Sequence, residues 1–212
     1  MYLKQVLKMK ILIGSTNNWK IKDWQEKISD FEVISPLTLG ISLDVEEGIT
    51  SLEENAIKKA KVFSQVTNLL TLSEDTGFFI ESLNGEPGVA LKRWGGELPE
   101  NVSDEQFINH LKKKVSPFHN PKGYFKTVIA LVSPAGVEKT ISIIIPGYLD
   151  TNLLNSLTKV EGFSLSDIFI NQKTGKTWNT MDLKEQNELY RPLYTSVKEA
   201  ILNYYNNSHK TF

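Results

Sequence analysis

The stretch LLTLSEDTG, residues 69–77, decides how the chain is organised. It opens as a short apolar run and ends at two adjacent carboxylates and a glycine. Such a run predicts a buried strand, and polar residues at the carboxyl end of a strand lie at the mouth of an α/β cleft. Glu74 and Asp75 repel each other unless a divalent cation or a lysine lies beside them. The stretch therefore predicts a site for chemistry, with an acidic turn as the alternative.

The composition excludes several classes of protein. With 24 basic and 25 acidic residues among 212, the chain has no overall field that would attract nucleic acid or an anionic membrane. The absence of cysteine excludes disulfides and thiol catalysis. The apolar run at residues 11–13 is too short for a signal peptide or a membrane span, so we expect a cytoplasmic protein. We expect one domain over residues 1–212, with a frayed leader at residues 1–9.

A polar loop follows the first predicted strand, residues 10–14, and leads into a helix. Free backbone N–H groups at a helix amino terminus, with small polar side chains and one lysine, form a cradle for phosphate. A plain helix cap explains the same residues equally well. The candidates for phosphate binding are Ser15, Thr16, Asn17 and Lys20.

A second acidic segment lies ahead of the central stretch. Glu46 and Glu47 precede a capping box, residues 51–54, that starts a helix running to about residue 66. Acids in this position often only stabilise the helix dipole, and this remains the alternative to a role in binding. Further along, Arg93 follows a glycine-rich turn and is a candidate phosphate clamp, with a solvated surface residue as the alternative.

The second half predicts scaffold followed by one more candidate loop. Residues 103–115 predict a capped helix, and residues 124–132 and 137–145 predict a long β-hairpin that Pro146-Gly147 ends. Phe163 lies on a glycine-led loop, where it either stacks on a base or belongs to the core. The last helical region is predicted to be interrupted at Pro192 and to resume to about residue 205.

Four motifs together resemble the inosine triphosphate pyrophosphatase family, whose members cut non-canonical purine nucleoside triphosphates to monophosphate and pyrophosphate. They share the family's order and spacing over about residues 10 to 95. In chain order they are Ser15 with Asn17 and Lys20, then Glu46-Glu47-Gly48 with the ENAIKKA segment 54–60, then Glu74-Asp75-Thr76-Gly77, then Gly85-Glu86-Pro87-Gly88 with Arg93.

The carboxyl-terminal half departs from the family. Its Gly-Phe-Gly-Tyr/Trp-Asp-Pro-Ile-Phe loop survives only in part at residues 162–169, with Asp167 displaced by one position. The segment around Lys176 fits well. The family's Lys-Asn-x-x-Ser-His-Arg motif corresponds to residues 186–192, which lack both the lysine and the Ser-His pair. Tyr190 and Arg191 are the two candidates to replace that pair, so we expect an altered or relaxed base preference.

The resemblance implies a fold, an activity and a set of residue roles. The fold is α/β: a long mixed β-sheet flanked by helices, in two lobes with a central nucleotide cleft. The activity is Mg²⁺-dependent hydrolysis of a nucleoside triphosphate by a homodimer that needs neither nucleic acid nor a membrane. Asp75 would activate water with Glu74 as second acid, and Glu47 and Asp75 would hold Mg²⁺. The substrate ligands would be Ser15, Thr16, Asn17, Lys20, Lys59, Thr76, Arg93, Phe163, Asp167, Lys176, Tyr190 and Arg191.

Two other functions remain open from the sequence. One is a nucleotide sensor on the same fold that binds without hydrolysis. The other is a protein-interaction or nucleic-acid module, whose nucleic-acid version the neutral net charge disfavours.

Overall fold

The computed structural model describes residues 9–157 and 165–208. Within them one sheet of seven strands forms the frame, in the spatial order β2-β1-β3-β5-β6-β7 with β4 beside β3. The first three strands of that order run parallel and the remaining pairs run antiparallel. The strands are β1 Lys10–Ile13, β2 Glu32–Ile34, β3 Thr71–Ile80, β4 Pro87–Gly88, β5 Lys122–Val132, β6 Glu138–Leu149 and β7 Phe169–Asn171.

Four α-helices flank the sheet: α1 Asn18–Lys27, α2 Leu52–Thr67, α3 Asp104–Val115 and α4 Leu183–Ser208. Their starts follow local capping chemistry. The side chains of Asn17 and Ser51 accept backbone N–H groups of α1 and α2, and Ser103 forms a complete capping box at α3. None of the helices that the structure describes is both long and apolar enough to cross a membrane.

The apolar core has three parts, and alternate residues of β5 show how two of them arise. Ile129 and Leu131 pack with α1 and α4 on one face of the sheet, whereas Val128 and Ala130 pack with α2 on the other. This is the two-residue period of a strand covered on both faces. A third cluster surrounds α3 at the far end of the long strands. The predicted mixed sheet with flanking helices is confirmed.

The central strand is longer than its sequence predicts. We expect a strand that stops at Glu74, but β3 continues through the acids and Gly77 to Ile80. Every residue of β3 pairs with a residue of β5, from Thr71 opposite Val132 to Ile80 opposite Gly123. This ladder of tertiary pairing overrides the low strand propensity of acidic residues and glycine.

Two other predicted boundaries are wrong. Pro146-Gly147 does not end the hairpin, because β6 runs to Leu149 and pairs there with β7. A Cβ on Gly147 would lie 2.1 Å from the Ile170 carbonyl oxygen, so glycine is what lets β7 approach. Helix α4 also continues through Pro192, where buried Leu189 and Leu193 anchor its inner face.

Candidate active site

Glu74 and Asp75 point to opposite faces of the sheet. Successive side chains of a strand alternate between faces, so the continuity of β3 separates the two neighbours. Glu74 contacts α1, and Asp75 contacts α2. The sequence predicts two acids at one strand end, whereas the structure holds each acid beside its own lysine. The candidate site therefore has two halves that meet at β3.

On the α2 face, four residues form what we call the acid–lysine cluster: Glu47, Asn55, Lys59 and Asp75. The Asn55 amide donates to Asp75 Oδ2 at 2.9 Å and accepts from the Gly48 N–H at 2.7 Å, which fixes the acidic loop against the helix. Lys59 Nζ lies 3.6 Å from Asp75 Oδ1 and donates to the Glu74 carbonyl at 2.8 Å. It also hydrogen-bonds the Glu47 carboxylate. One ammonium thus joins both predicted metal ligands.

The electrostatics of the cluster favour a protonatable acid. Burial raises the pKa of Asp75 above its ordinary value, and the nearby charge of Glu47 adds to this. The Lys59 ammonium and the Asn55 hydrogen bond oppose the rise without cancelling it. A carboxylate with a raised pKa is a stronger base than an exposed one, because basicity rises with pKa.

Arg93 lies at the edge of this cluster. Its Nη2 is 3.5 Å from the Glu47 carbonyl oxygen, across the opening between the acidic loop and the turn that follows β4. This position suits the predicted role of Arg93 as a phosphate clamp, which stays a prediction. Arg93 is partly exposed and therefore accessible to an anion.

Glu74 is held on the opposite face by three donors. The Trp24 indole donates to its carboxylate at 2.9 Å, Lys20 Nζ lies at 3.3 Å, and the Thr76 hydroxyl donates at 3.3 Å. Burial alone would raise the pKa of Glu74, but Lys20, the indole and Lys59 outweigh it and lower the pKa. The same pairing raises the pKa of Lys20 against its own burial. Glu74 and Lys20 are therefore a stable ion pair.

The loop between β1 and α1 has the geometry of the predicted cradle. Ser15 Oγ accepts the Asn17 N–H at 3.1 Å, and Asn17 Oδ1 caps α1. Thr16 is exposed at the same helix amino terminus. A Cβ on Gly14 would lie 2.3 Å from the Ser73 hydroxyl oxygen, so glycine brings this loop against β3. The cradle thus opens beside Lys20.

A cavity of about 400 Å³ lies on the Glu74 face, and we call it the aromatic cavity. Tyr190 lines it, whereas Arg191 does not and is exposed. Of the two candidates to replace the Ser-His pair, Tyr190 is thus the one that reaches the cavity. The lining residues are Asn17, Trp19, Lys20, Asp23, Trp24, Glu74, Thr76, Thr127, Ser166, Trp178, Asn179, Tyr190, Leu193 and Tyr194.

Hydrogen bonds tie the wall of the cavity to the Glu74 network. The hydroxyls of Thr76 and Thr127 lie 3.0 Å apart, and Thr127 hydrogen-bonds Tyr190. Burial, aided by the charge of Glu74, raises the pKa of Tyr190, which is therefore neutral at physiological pH. Tyr190 also makes an edge contact with Trp178, with ring centroids 5.6 Å apart.

Three predicted substrate ligands lie outside both halves. Asp167 is exposed and hydrogen-bonds the Asn179 side chain. Lys176 forms a surface ion pair with Glu185 at 2.7 Å. Arg191 is exposed on α4, as described above. Phe163, the predicted stacking residue, lies outside the residues that the structure describes.

Glu47 and Asp75 fit a magnesium ion that binds together with a phosphate. Within residues 9–157 and 165–208 no three acidic or histidine side chains cluster as a complete metal site. Mg²⁺ nevertheless requires only one or two carboxylates when substrate phosphates and water supply the other ligands. Both carboxylates already contact the Lys59 ammonium, so they are positioned to share a cation. The donor set therefore suits this ion.

Several residues of the two halves escape prediction from the sequence. Asn55 belongs to the ENAIKKA segment, but nothing in the sequence indicates that its side chain binds Asp75. Trp24 is buried on α1, and a buried indole N–H requires a hydrogen-bond partner. The spacing of Lys20, Asp23 and Trp24 places all three on one side of a helix and could have revealed the polar side of α1. Thr127, Trp178 and Tyr194 reach the cavity from distant elements.

Comparison with known proteins bears on the family. The sequence profile of the Ham1 family matches residues 11–191. A dITP/XTP pyrophosphatase from Thermoanaerobacter sp. strain X514 is 31% identical over 183 residues, covering 85% of this chain and 89% of the relative. A dITP/XTP pyrophosphatase from Caldanaerobacter subterraneus subsp. tengcongensis is 32% identical over 186 residues, with the same coverage.

Solved structures give the same answer. The Ham1 protein of Staphylococcus aureus superimposes with a TM-score of 0.74 at 28% identity, covering 92% of this chain and 98% of that one. A HAM1 protein of Coxiella burnetii gives a TM-score of 0.74 at 25% identity, covering 90% and 99%. The family resemblance found in the four sequence motifs is confirmed, and the chain belongs to the Ham1 family.

Proposed function

We propose that this chain hydrolyses nucleoside triphosphates with non-canonical or modified purine bases to nucleoside monophosphate and pyrophosphate, with Mg²⁺. The observation that supports this most is the acid–lysine cluster, in which a buried Asp75 is held by Asn55 and Lys59 beside Glu47. Two relatives named dITP/XTP pyrophosphatase add support. A module that only binds nucleotides has no need for a buried carboxylate poised as a base.

Asp75 is the general base in this proposal. Its carboxylate takes a proton from a water molecule, and the oxygen of that water forms a bond to the α phosphorus. The bond from the α phosphorus to the bridging oxygen breaks, and this oxygen leaves with pyrophosphate. The raised pKa of Asp75 suits this role. Asn55 positions the carboxylate by its hydrogen bond to Oδ2. Glu74 is a positioning residue, since it holds Lys20 and Trp24 in place from the opposite face.

The triphosphate is neutralised by three cations. Lys20 and Lys59 approach β3 from opposite faces, and Arg93 closes the side near Glu47. The cradle formed by Ser15, Thr16 and Asn17 adds hydrogen bonds and the positive end of the α1 dipole. Glu47 and Asp75 would hold Mg²⁺, which supplies charge neutralisation at the phosphates when bound.

The base enters the aromatic cavity in this proposal. Thr76 and Tyr190 line it, and Phe163 is proposed as a stacking residue. Asp167, Lys176 and Arg191, the other substrate ligands that the family resemblance implies, would have to move to reach the cavity. We therefore expect their single substitutions to change KM only slightly. A cytoplasmic homodimer is proposed from the family resemblance, and analytical ultracentrifugation would measure its association state.

Product analysis tests the activity. The protein is incubated with Mg²⁺ and a panel of purine and pyrimidine triphosphates, and monophosphate plus pyrophosphate are resolved from diphosphate plus phosphate. We expect the first pair of products from at least one nucleotide. Release of diphosphate and phosphate contradicts the proposed cleavage. Binding without turnover of any nucleotide supports the alternative function, a sensor on the same fold.

A further inference from the structure

The turn that carries Arg93 contains a strained residue that the proposed chemistry does not use. Trp94 has a φ of +48°, in the left-handed region that a bulky side chain rarely adopts. It is only 1% exposed and packs against Phe107 and His110 of α3. Strain of this kind persists only where the surroundings fix the residue, and it is concentrated at functional sites. The contacts that fix Trp94 therefore bear on the residue beside it, Arg93.

A charged group from α3 holds this tryptophan. The Trp94 indole N–H donates to Glu86 Oε2 at 2.9 Å, and Lys114 Nζ donates to the same oxygen at 2.8 Å. Lys114 also donates to Glu97 Oε1 at 2.8 Å and lies 5.9 Å from the centroid of the indole ring. We call Glu86, Trp94, Glu97 and Lys114 the tryptophan clamp. One ammonium thus joins two carboxylates that lie on either side of Trp94 in the chain.

The backbone of the turn joins the tryptophan clamp to Arg93. The Arg93 carbonyl oxygen accepts the N–H groups of Gly96 at 3.0 Å and Leu98 at 2.9 Å, so the chain closes around Trp94. From this backbone the Arg93 side chain reaches the Glu47 carbonyl oxygen, at the edge of the acid–lysine cluster. The tryptophan clamp therefore determines the position from which the guanidinium extends.

Stability alone does not account well for the tryptophan clamp. The side chains of Glu86 and Glu97 are 44% and 47% exposed, and ion pairs at such positions contribute little to the free energy of unfolding. Their geometry is nevertheless specific, because both carboxylates meet one ammonium and one of them also receives the indole N–H. Contacts that stabilise the fold only slightly can still fix a neighbouring side chain, and a displacement of about 1 Å in a binding group is costly.

We propose that Lys114 is a positioning residue for substrate binding, which directs Arg93 toward the phosphates by means of the tryptophan clamp. The inference rests on the proposed function, since it takes Arg93 as one of the three cations that neutralise the triphosphate. Lys114 needs no contact with the substrate in this role. Its effect is expected on KM rather than on kcat, because a group that holds the phosphates equally in the ground state and the transition state changes binding alone.

A double-mutant cycle tests whether Lys114 acts through Arg93. The ligand is inorganic tripolyphosphate with Mg²⁺, and isothermal titration calorimetry measures its dissociation constant. We expect Lys114→Met and Arg93→Met each to raise this constant about tenfold, as loss of one hydrogen bond to a charged group allows. Because the two residues act in series, the double variant should bind within about twofold of Arg93→Met. With a nucleotide substrate, Lys114→Met should raise KM and leave kcat within about twofold.

Lys113→Met is the matched control, because it removes the same charge from an exposed position on the same helix. It should leave the dissociation constant and KM unchanged. Lys114→Arg keeps the charge and should restore binding to within about twofold of the wild type. Glu97→Gln breaks only one contact of the ammonium and replaces Lys114→Met if that variant does not fold. It should raise the dissociation constant about threefold.

Independent effects of the two substitutions overturn the proposal. If Lys114→Met weakens tripolyphosphate binding as much in the Arg93→Met background as in the wild type, Lys114 either binds phosphate itself or only stabilises the fold. An unchanged dissociation constant in Lys114→Met, or no binding of tripolyphosphate to the wild type, also overturns it. Failure of the proposed function is separate, since it is the absence of pyrophosphate release in the product analysis.

Discussion

The two faces of the central sheet differ in how closely they follow the family's sequence motifs. The acid–lysine cluster on the α2 face is built from residues that match those motifs at Glu47, Lys59 and Asp75. The aromatic cavity on the α1 and α4 face is built largely from residues outside the motifs, among them Asp23 and Tyr190. Phosphates are common to all nucleotides, whereas bases differ. This difference predicts that substitutions in the acid–lysine cluster change turnover whichever base the nucleotide carries, whereas substitutions in the aromatic cavity change which base is preferred.

The largest expected effect is at the acid–lysine cluster. Asp75→Asn removes the proposed base and a negative charge from a buried site. We expect turnover to fall by at least about a hundredfold, as loss of one key group in a preorganised site typically costs about 3 kcal/mol of transition-state stabilisation. Steady-state pyrophosphate release measures it. Asp104→Asn, at the exposed start of α3, is the control. Wild-type turnover by Asp75→Asn would show that Asp75 is not the base.

The second prediction tests whether Glu74 stabilises the fold rather than takes part in the chemistry. Glu74→Gln leaves the Lys20 ammonium without its ion-pair partner while keeping an acceptor for Trp24. We expect a loss of about 2 kcal/mol in the free energy of unfolding, typical of a hydrogen bond to a charged group. Urea denaturation measures this, with exposed Glu81→Gln as control. A stable variant with strongly reduced turnover would instead make Glu74 a participant in the chemistry.

A smaller effect concerns pH and the aromatic cavity. Burial raises the pKa of Asp23 to about 6 against the opposing charge of Lys27, while Glu74 and Glu26 add to the rise. Because the native state holds its proton more tightly than the unfolded state, this group's contribution to stability is present below about pH 4 and is lost as pH rises through 6. The free energy of unfolding falls by about 1 kcal/mol over this pH range, after allowance for solvent screening.

Asp23→Asn therefore should be more stable than the wild type at pH 7.5, with the advantage disappearing near pH 4. Urea midpoints at the two pH values measure the difference. The Tyr194 hydroxyl keeps an acceptor in the variant, so its hydrogen bond does not confound the comparison. An advantage that is the same at both pH values would show that the effect does not come from titration of Asp23.

The smallest effect is expected outside both regions. Lys176 forms an exposed ion pair with Glu185, and such pairs contribute less than about 1 kcal/mol. Lys176→Gln should change the urea midpoint slightly and leave KM within about twofold. A KM raised tenfold or more would restore this lysine as a substrate ligand and extend the substrate site beyond the cavity. Glu185→Gln breaks the same pair and controls for its loss.

The fold was predictable where local patterns and tertiary structure agree. Ser51 and Ser103 start helices as their capping chemistry predicts, and the β-hairpin follows its alternating apolar residues. The continuity of β3 was not predictable, because it depends on pairing with β5 across about 50 residues of sequence. For the same reason the sequence could not show that Glu74 and Asp75 face different helices.

Prediction of the site followed the same division. Lys59 and Asp75 lie in motifs, and the structure brings Lys59 Nζ within 3.6 Å of Asp75 Oδ1. The contacts of Tyr190 depend on how α4 passes over β5, and nothing in the spacing of residues 186–192 distinguishes Tyr190 from Arg191. Trp24 is buried on α1, and no spacing in the sequence shows that its indole N–H donates to Glu74. The spacing of residues along the sequence does not predict polar contacts between distant segments of the chain.

The alternation of side chains along β3 also limits how this protein can change in length. Inserting or deleting one residue just before Glu74 would exchange the faces to which Glu74 and Asp75 point, provided the ladder with β5 keeps its register. Lys20 would then meet the shorter acid and Lys59 the longer one. Only changes of two residues preserve the arrangement, whereas the loop at residues 41–48, outside the sheet, has no such restriction. An even number of residues can thus be added to or removed from β3 without exchanging the two faces, whereas parity places no restriction on the loops.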